Sequence, residues 1–195
     1  MGGVAFAELT EAEWLSSDDP DALLGHIAPR LTRRQAALFA CACCRRLWPL
    51  VTDDRWRRVV ELRERQAAGE DTGGGAAAVY GWYLAESRAG RFRTWPPLIP
   101  FVQLAGPDFG DPRWVGHAAK MARQGAGGAA ALAVRAAGGR RGEQEAAKKA
   151  AERAEAAAQC GVLREIVGNP FRPAGPTEQG PAEPIAAPDR GGRTD

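Results

Sequence analysis

The cysteines in the stretch FACACCRRLW (Phe39–Trp48) are the side chains of this sequence best suited to metal or redox chemistry. Cys41 and Cys44 have C-x-x-C spacing, which on a helix puts both thiols on one face, while Cys43 lies on another. A redox pair usually lies at a helix N-terminus, where the dipole lowers the thiol pKa, and a zinc pair usually comes from a turn. Here both thiols are predicted to lie inside a helix, near its basic end. The pattern therefore favours small buried core residues.

A metal site is the alternative that the sequence leaves open. Structural zinc takes four ligands in a tetrahedral arrangement, and the C-x-x-C pair supplies two of them. The remaining ligands would have to come from distant helices, because no second pair is present. The candidate metal ligands are Cys41, Cys44, Cys160, His26 and His117.

Motifs typical of enzymes are missing from the sequence. It contains no G-x-S-x-G nucleophile elbow, no G-x-x-x-x-G-K-[ST] phosphate loop and no G-x-G-x-x-G dinucleotide motif. The neighbouring carboxylates Asp53 and Asp54 have the position of helix caps. The sequence therefore predicts no catalytic residue, and we expect no cofactor.

Charge is distributed unevenly along the chain. Residues 1–29 carry six acidic side chains and no Lys or Arg, whereas residues 30–68 carry ten arginines and four acidic side chains. The stretch RWRR at residues 55–58 combines arginine with an aromatic ring, as nucleic-acid-binding surfaces do. Helical spacing places Trp56 on an apolar face, however, and the acidic segment can neutralise the basic one. We expect internal charge pairing, with nucleic-acid binding through Arg45–Arg65 as an alternative.

Capping signals indicate where several helices begin. Thr10 and Thr32 each start a capping box, and the pair Asp19-Pro20 combines an N-cap with proline at the first helical position. We find no internal repeat and no strand pattern. The predicted helices cover residues 10–16, 19–27, 32–48, 53–69, 76–89, 114–137 and 143–167, with an ordered but irregular loop over 92–112.

The helix over 32–48 is predicted to be the centre of the fold, because it is apolar on every side from Ala36 to Cys44. Residues 173–195, by contrast, contain five prolines, four glycines and a single large aliphatic residue, Ile185. Such a composition buries too little apolar surface to order a segment. We therefore predict an all-α fold, with a single irregular multi-helix domain over residues 8–172 and a disordered Pro/Gly-rich tail over 173–195.

Apolar patterning predicts neither a membrane span nor a signal peptide. The longest uninterrupted apolar run is Ala36–Cys44, whereas a bilayer span needs about 20 residues. The first residues, MGGVAFAELTEAEW, lack a basic n-region and a long apolar core. Together with a cysteine pattern unsuited to a disulfide framework, this predicts a cytoplasmic protein.

Two stretches resemble the signatures of a known family. FACACCRRLWPLVTDDRWRRVVELRERQAAGE (Phe39–Glu70) and QCGVLREIVGNPFRP (Gln159–Pro173) resemble, in this order, the patterns ACCRRIW, RRAVEVAER-x-ADG and LLRDIFGNPFRP. These patterns belong to a paralogous bacterial family of uncharacterised helical proteins. The resemblance implies a helical fold and implies no activity. Arg63 departs from it, because the family pattern has alanine there, and family members commonly continue beyond NPFRP into further helices.

These observations together predict a non-catalytic cytoplasmic module for protein interaction or scaffolding. The alternatives are a metal-binding or thiol protein that uses the Cys41/Cys44 helix, and weak nucleic-acid binding through the Arg45–Arg65 surface.

Overall fold

Helices account for all the regular structure in the described part of the chain. The computed structural model describes residues 9–91, 98–107 and 110–172, and these residues contain no strand, so the all-α prediction is confirmed. The predicted disordered tail over 173–195 lies outside the described residues. The helices are α1 (Glu11–Ser16), α2 (Pro20–Ile27), α3 (Arg33–Arg46), α4 (Asp54–Ala67), α5 (Gly75–Arg88), α6 (Ile99–Ala105), α7 (Pro112–Ala136) and α8 (Arg141–Val167), with a 3₁₀ turn at Trp48–Leu50.

Capping side chains set the starts of the first three helices, as predicted. The hydroxyl of Thr10 accepts from the amide of Glu13 at 3.2 Å, and the hydroxyl of Thr32 accepts from the amide of Gln35 at 3.2 Å. Asp19 caps α2 through its side-chain oxygen. The first amides of a helix have no acceptor within it, so these local bonds decide where each helix begins.

Helix α3 lies at the centre of the core, which confirms the prediction of a buried helix. It packs against α4, α6, α7 and α8. Phe39 is fully buried, and three cysteines of the same helix are 1% exposed. Buried side chains occupy several sides of α3. The alanines of this helix are short, so the surrounding helices can pack close to it. The side chains of the core that are largest and fully buried include Trp14, Trp56, Phe39 and Phe101.

The predicted irregular loop over 92–112 is wrong in part, because Ile99–Ala105 form α6. Pro100 lies in the first turn, where a helix needs no amide donor, and so proline is compatible with the helix start. Phe101 and Leu104 are spaced for one helical face, and both are buried. Prolines surround this segment, and its seven residues are too few to show a clear helical pattern in the sequence.

Arg63 holds the C-terminal end of α6. Its Nε donates to the carbonyl of Leu104 at 2.9 Å, and its Nη2 donates to the carbonyls of Ala105 and Gly106 at 3.0 and 2.9 Å. The last carbonyls of a helix form the negative end of its dipole, which favours a guanidinium. Burial lowers the pKa of Arg63, although an arginine keeps its charge. The residue that departs from the family pattern thus has a structural role.

Helices α7 and α8 form an antiparallel hairpin. A Cβ at Gly127 would lie 2.7 Å from Cγ of Glu152, so glycine there permits the close approach of the two helices. Buried side chains of the hairpin lie in the halves far from its turn, and Leu132, near the turn, is 49% exposed. Within the described residues, no helix has both the length and the apolar character needed to cross a membrane.

Candidate functional site

The four cysteines are free thiols inside the packed core. Burial raises the pKa of Cys41, Cys43 and Cys44 far above the usual range for a thiol, and it raises the pKa of Cys160 to about 11. The thiolate is the form that attacks disulfides and binds metals. The core therefore opposes the chemistry that the C-x-x-C spacing suggests.

The candidate metal ligands do not come together in the described part of the chain. There, no group of three or more His, Cys, Asp and Glu side chains is placed to hold a metal ion. The Sγ of Cys41 lies 4.0 Å from the carbonyl oxygen of Val60, while His117 contacts Gln103 and the ring of Trp114. The five residues that the structure does not assemble into such a group are Cys41, Cys44, Cys160, His26 and His117.

Carboxylates engage arginines of the Arg45–Arg65 surface. Arg45 donates from Nε and Nη2 to Glu64 at 2.8 and 2.6 Å, and Arg55 donates from Nη2 to Asp53 at 2.8 Å. The hydrogen bond from Arg55 lowers the pKa of Asp53. Neighbours in the same fold thus neutralise two of the arginines that phosphates would need.

Tryptophan rings of this surface are covered by guanidinium groups. The Cζ atom of Arg45 lies 4.3 Å from the ring centroid of Trp48, and that of Arg55 lies 3.6 Å from the ring centroid of Trp82. A nucleic-acid base would have to displace these cation–π contacts before it could stack. The arrangement gives no support to the nucleic-acid alternative.

The acidic N-terminal segment pairs elsewhere than predicted. Asp21 accepts from Arg123 of α7 at 2.7 Å, and Glu11 accepts from Arg172 at 2.8 Å. Both arginines lie outside residues 30–68, so these two pairs contradict the expected pairing of the acidic segment with that basic one. The reason is topological, because α2 packs against α7 and α8.

A chain of polar side chains, buried at its centre and exposed at its two ends, joins α3, α8, α7 and α2. Arg46 donates to Glu155 at 2.8 Å, and Gln159 donates to the second oxygen of Glu155 at 3.2 Å. Arg123 donates to Gln159 at 3.0 Å and to Asp21 at 2.7 Å. Glu155 is 5% exposed and Gln159 is fully buried. The bonds compensate the cost of burying these groups and fix the position of α8.

The sequence G-N-P-F-R after α8 folds back against α1 and α2. Asn169 Nδ2 and Arg172 Nε both donate to Oε1 of Glu11, at 2.6 and 2.8 Å. The ring of Phe171 stacks on that of His26, with centroids 5.1 Å apart. The bond from Asn169 and then the bond from Arg172 lower the pKa of Glu11. This turn therefore has a defined position on the N-terminal helices.

A groove of about 430 Å³ opens between this turn and the connection from α2 to α3. Its apolar floor includes Ile27, Leu31 and Val167. Arg30 spans the two walls, because its Nη1 donates to the carbonyl of Pro170 at 3.5 Å. We call it the α2–α8 groove, and its lining residues are Ile27, Arg30, Leu31, Gln35, Val167, Gly168, Asn169, Pro170 and Arg172.

The lining of the α2–α8 groove combines apolar, amide and cationic side chains. Among the described residues, it contains no Ser, Cys, Lys, His or carboxylate, the usual nucleophiles and general acids or bases. Gly168 has φ of 75°, a conformation that glycine adopts at the lowest cost, and it turns the chain from α8 toward Glu11. The groove is thus formed by the end of α8 and by a turn that hydrogen bonds to Glu11 keep in place.

Comparisons of this chain with models of protein families, with curated proteins and with solved structures give no match. The resemblance of Phe39–Glu70 and Gln159–Pro173 to a paralogous bacterial family therefore stays a prediction.

Sequence reasoning placed the end of the last helix at residue 167 and missed the groove that the turn after this helix forms. Glycine and proline after α8 signal where the helix ends. They carry no signal of the partner, because the contact between Asn169 and Glu11 joins residues 158 positions apart. The buried pair Glu155 and Gln159 did leave a trace, as polar residues with i,i+4 spacing inside an alanine-rich helix.

Proposed function

We propose that this chain is a non-catalytic protein-interaction module that binds a peptide segment of a partner in the α2–α8 groove. The observation that carries the proposal is the groove itself, with an apolar floor, two arginines at its walls and, among the described residues, no reactive side chain in its lining. Its volume of about 430 Å³ falls within the range of ligand-binding clefts.

The frame of the groove is held in place before a ligand arrives. Arg164 on α8 donates from Nε to the carbonyl of Trp14 at 2.9 Å, and it also donates to the carbonyl of Ser17, so the end of α1 is fixed to α8. Glu11 holds Asn169 and Arg172 in the turn. A preformed site binds more tightly, because less conformational freedom is lost on association.

A cytoplasmic location is part of this proposal. It is supported by the four free thiols, which are typical of proteins in a reducing compartment. The resemblance to a paralogous bacterial family supports an interaction role, since that resemblance implies no activity. The metal, thiol and nucleic-acid alternatives lack comparable support, because the cysteines are buried and the arginines are engaged.

Selection of short random peptides on the purified full chain tests the proposal. We expect enriched peptides whose binding is lost in Val167→Glu, which puts a charge on the half-buried floor of the groove. The matched control is Leu132→Glu, which adds the same charge at an exposed position of α7 and should leave binding intact. Circular dichroism checks that both variants are folded. Enriched peptides that bind Val167→Glu as well as the wild type would overturn the proposal.

A further inference from the structure

The α2–α8 groove carries an excess of positive charge. Among the described residues, its lining contains two arginines, Arg30 and Arg172, and no acidic residue, while Glu11 pairs with Arg172 from outside the lining. Both arginines are exposed, and the side chain of Arg172 is 72% accessible. A ligand with negative charge is therefore favoured at this end of the molecule.

The hydrogen bond from Arg172 to Glu11 leaves the Nη groups of its guanidinium able to pair with a second carboxylate. Its described bond to Glu11 uses Nε. A guanidinium carries five N–H donors in one plane, and its Nη groups can form a further charge-assisted pair. Arg30 bridges the two walls, because its Nη1 reaches the carbonyl of Pro170 at the long distance of 3.5 Å while its Nη2 lies 3.3 Å from Nε2 of His26. A ligand carboxylate would make a stronger bond than the one to Pro170.

Apolar residues share the lining of the groove with the two arginines. Ile27 is 1% exposed and Leu31 is 7% exposed, and Val167 is half-buried beside them. An apolar side chain of a ligand would cover Val167, since Ile27 and Leu31 are already almost fully buried. A bare anion such as phosphate would satisfy the arginines and leave Val167 partly in water, so the groove favours a ligand that offers both features.

We propose that the α2–α8 groove binds an acidic peptide segment of a partner protein, in which an apolar side chain lies next to carboxylates. The apolar side chain packs on Ile27, Leu31 and Val167, and the carboxylates pair with Arg30 and Arg172. This inference rests on the proposed function and specifies the chemistry of the partner.

Fluorescence anisotropy with labelled peptides of equal length tests this chemistry. The probes are Gly-Glu-Leu-Glu-Leu-Glu-Gly, the same peptide with Lys in place of Glu, and the same peptide with Ser in place of Leu. We expect the first to bind at low salt and more weakly as salt is added. The Lys and Ser peptides should bind at least about tenfold more weakly, which is about 1.4 kcal/mol. Equal binding of the Glu and Lys peptides, or no binding of the Glu peptide, overturns the inference.

Variants of the chain separate charge recognition from the structure of the turn. Arg30→Ala and Arg172→Ala should each weaken the Glu peptide by about fivefold. Arg172→Gln retains a side-chain donor toward Glu11 and loses the charge, so it should weaken the Glu peptide as Arg172→Ala does, whereas Arg172→Lys keeps the charge and should bind more tightly than Arg172→Gln. Arg58→Ala, an exposed arginine of α4, controls for net charge and should have no effect. Binding by Arg172→Gln equal to that of the wild type would assign Arg172 a merely structural role and contradict the inference.

The chain itself contains a segment of similar chemistry, Glu183-Pro184-Ile185. A full-length variant with Glu183→Ala and Ile185→Ala should bind the Glu peptide as the wild type does. Markedly tighter binding by this variant would show that the chain's own segment occupies the groove, and it would overturn the proposal of an external partner. Selected peptides that need Val167 but carry basic residues would leave the proposed function standing and refute only the acidic chemistry.

Discussion

The side-chain amide of Asn169 donates to Oε1 of Glu11 at 2.6 Å, which joins the turn after the last helix to the first helix. Arg172 donates to the same oxygen at 2.8 Å. The carboxylate of Glu11 thus holds in position one wall of the α2–α8 groove, the wall formed by the turn after α8. The consequence is that the groove depends on the ionisation of a single glutamate.

Acid is expected to weaken this contact. The bonds from Asn169 and Arg172 lower the pKa of Glu11 in the folded chain, so its contribution to stability is complete above the unfolded pKa of about 4.3 and is lost as pH falls through the lower folded pKa. The melting temperature of Glu11→Gln should be below that of the wild type at pH 7, and the difference should shrink toward pH 3. A difference that is constant with pH would contradict this role of the carboxylate.

Loss of Arg63 should destabilise the fold through α6. Arg63→Ala leaves the carbonyls of Leu104, Ala105 and Gly106 without their guanidinium donor, and we expect a loss of about 1–3 kcal/mol in the free energy of unfolding. Urea denaturation measures this loss. Arg58→Ala on the same helix serves as control and should change the stability by less than about 0.5 kcal/mol. Equal effects of the two substitutions would refute the capping role.

The neighbouring arginines Arg45 and Arg46 should differ in how much they contribute to the free energy of unfolding. Arg46→Ala leaves the carboxylate of Glu155, which is 5% exposed, without its ion pair and should cost about 1–3 kcal/mol. Arg45→Ala removes an exposed pair with Glu64 and should cost about 0–1 kcal/mol. Urea denaturation of the two variants makes the comparison. A larger loss for Arg45→Ala would contradict the buried polar chain.

The buried thiols predict a decline of stability in alkali. Burial raises the pKa of Cys41 and Cys44 above the unfolded value of about 8.5, so their contribution is complete below that pH. As pH rises above it, the unfolded chain releases thiol protons that the folded chain retains, and stability falls. The decline between pH 8 and pH 10 should be smaller in the Cys41→Ala/Cys44→Ala variant, which also loses about 1–3 kcal/mol through its cavities.

Thiol titration and metal analysis check the same interpretation. The native chain should react slowly with a thiol reagent, and the denatured chain should show all four thiols. We expect no stoichiometric zinc and no change of helical circular dichroism on addition of a chelator. One zinc ion per chain, lost in the double variant, would contradict the interpretation of these cysteines as core residues.

Local signals in the sequence were sufficient for most of the helices. Thr10, Asp19 and Thr32 cap helices through bonds that span two or three residues, so the sequence shows them directly. The buried position of α3 followed from its apolar character on every side. Helix α6 was missed because its seven residues are short and include a proline, and packing of Phe101 in the core overrides the weak local preference.

The candidate site was beyond sequence reasoning for a different reason. The groove is created where α2, α3 and the turn after α8 meet, and Arg30 and Pro170 are 140 positions apart in the chain. The end of the predicted helix at residue 167 is local information, which does not include the partner of the turn that follows. The cysteines, whose spacing resembles that of a metal or redox pair, are buried side chains that fill the core.

Amide hydrogen exchange of the full chain, with and without the peptide Gly-Glu-Leu-Glu-Leu-Glu-Gly, tests the central claim most directly. Our account predicts slower exchange on binding in residues 27–35 and 167–172, which form the two walls of the α2–α8 groove, and unchanged exchange in Arg45–Arg65. Protection over Arg45–Arg65 with the groove unchanged, or no protection anywhere at saturating peptide, would contradict it.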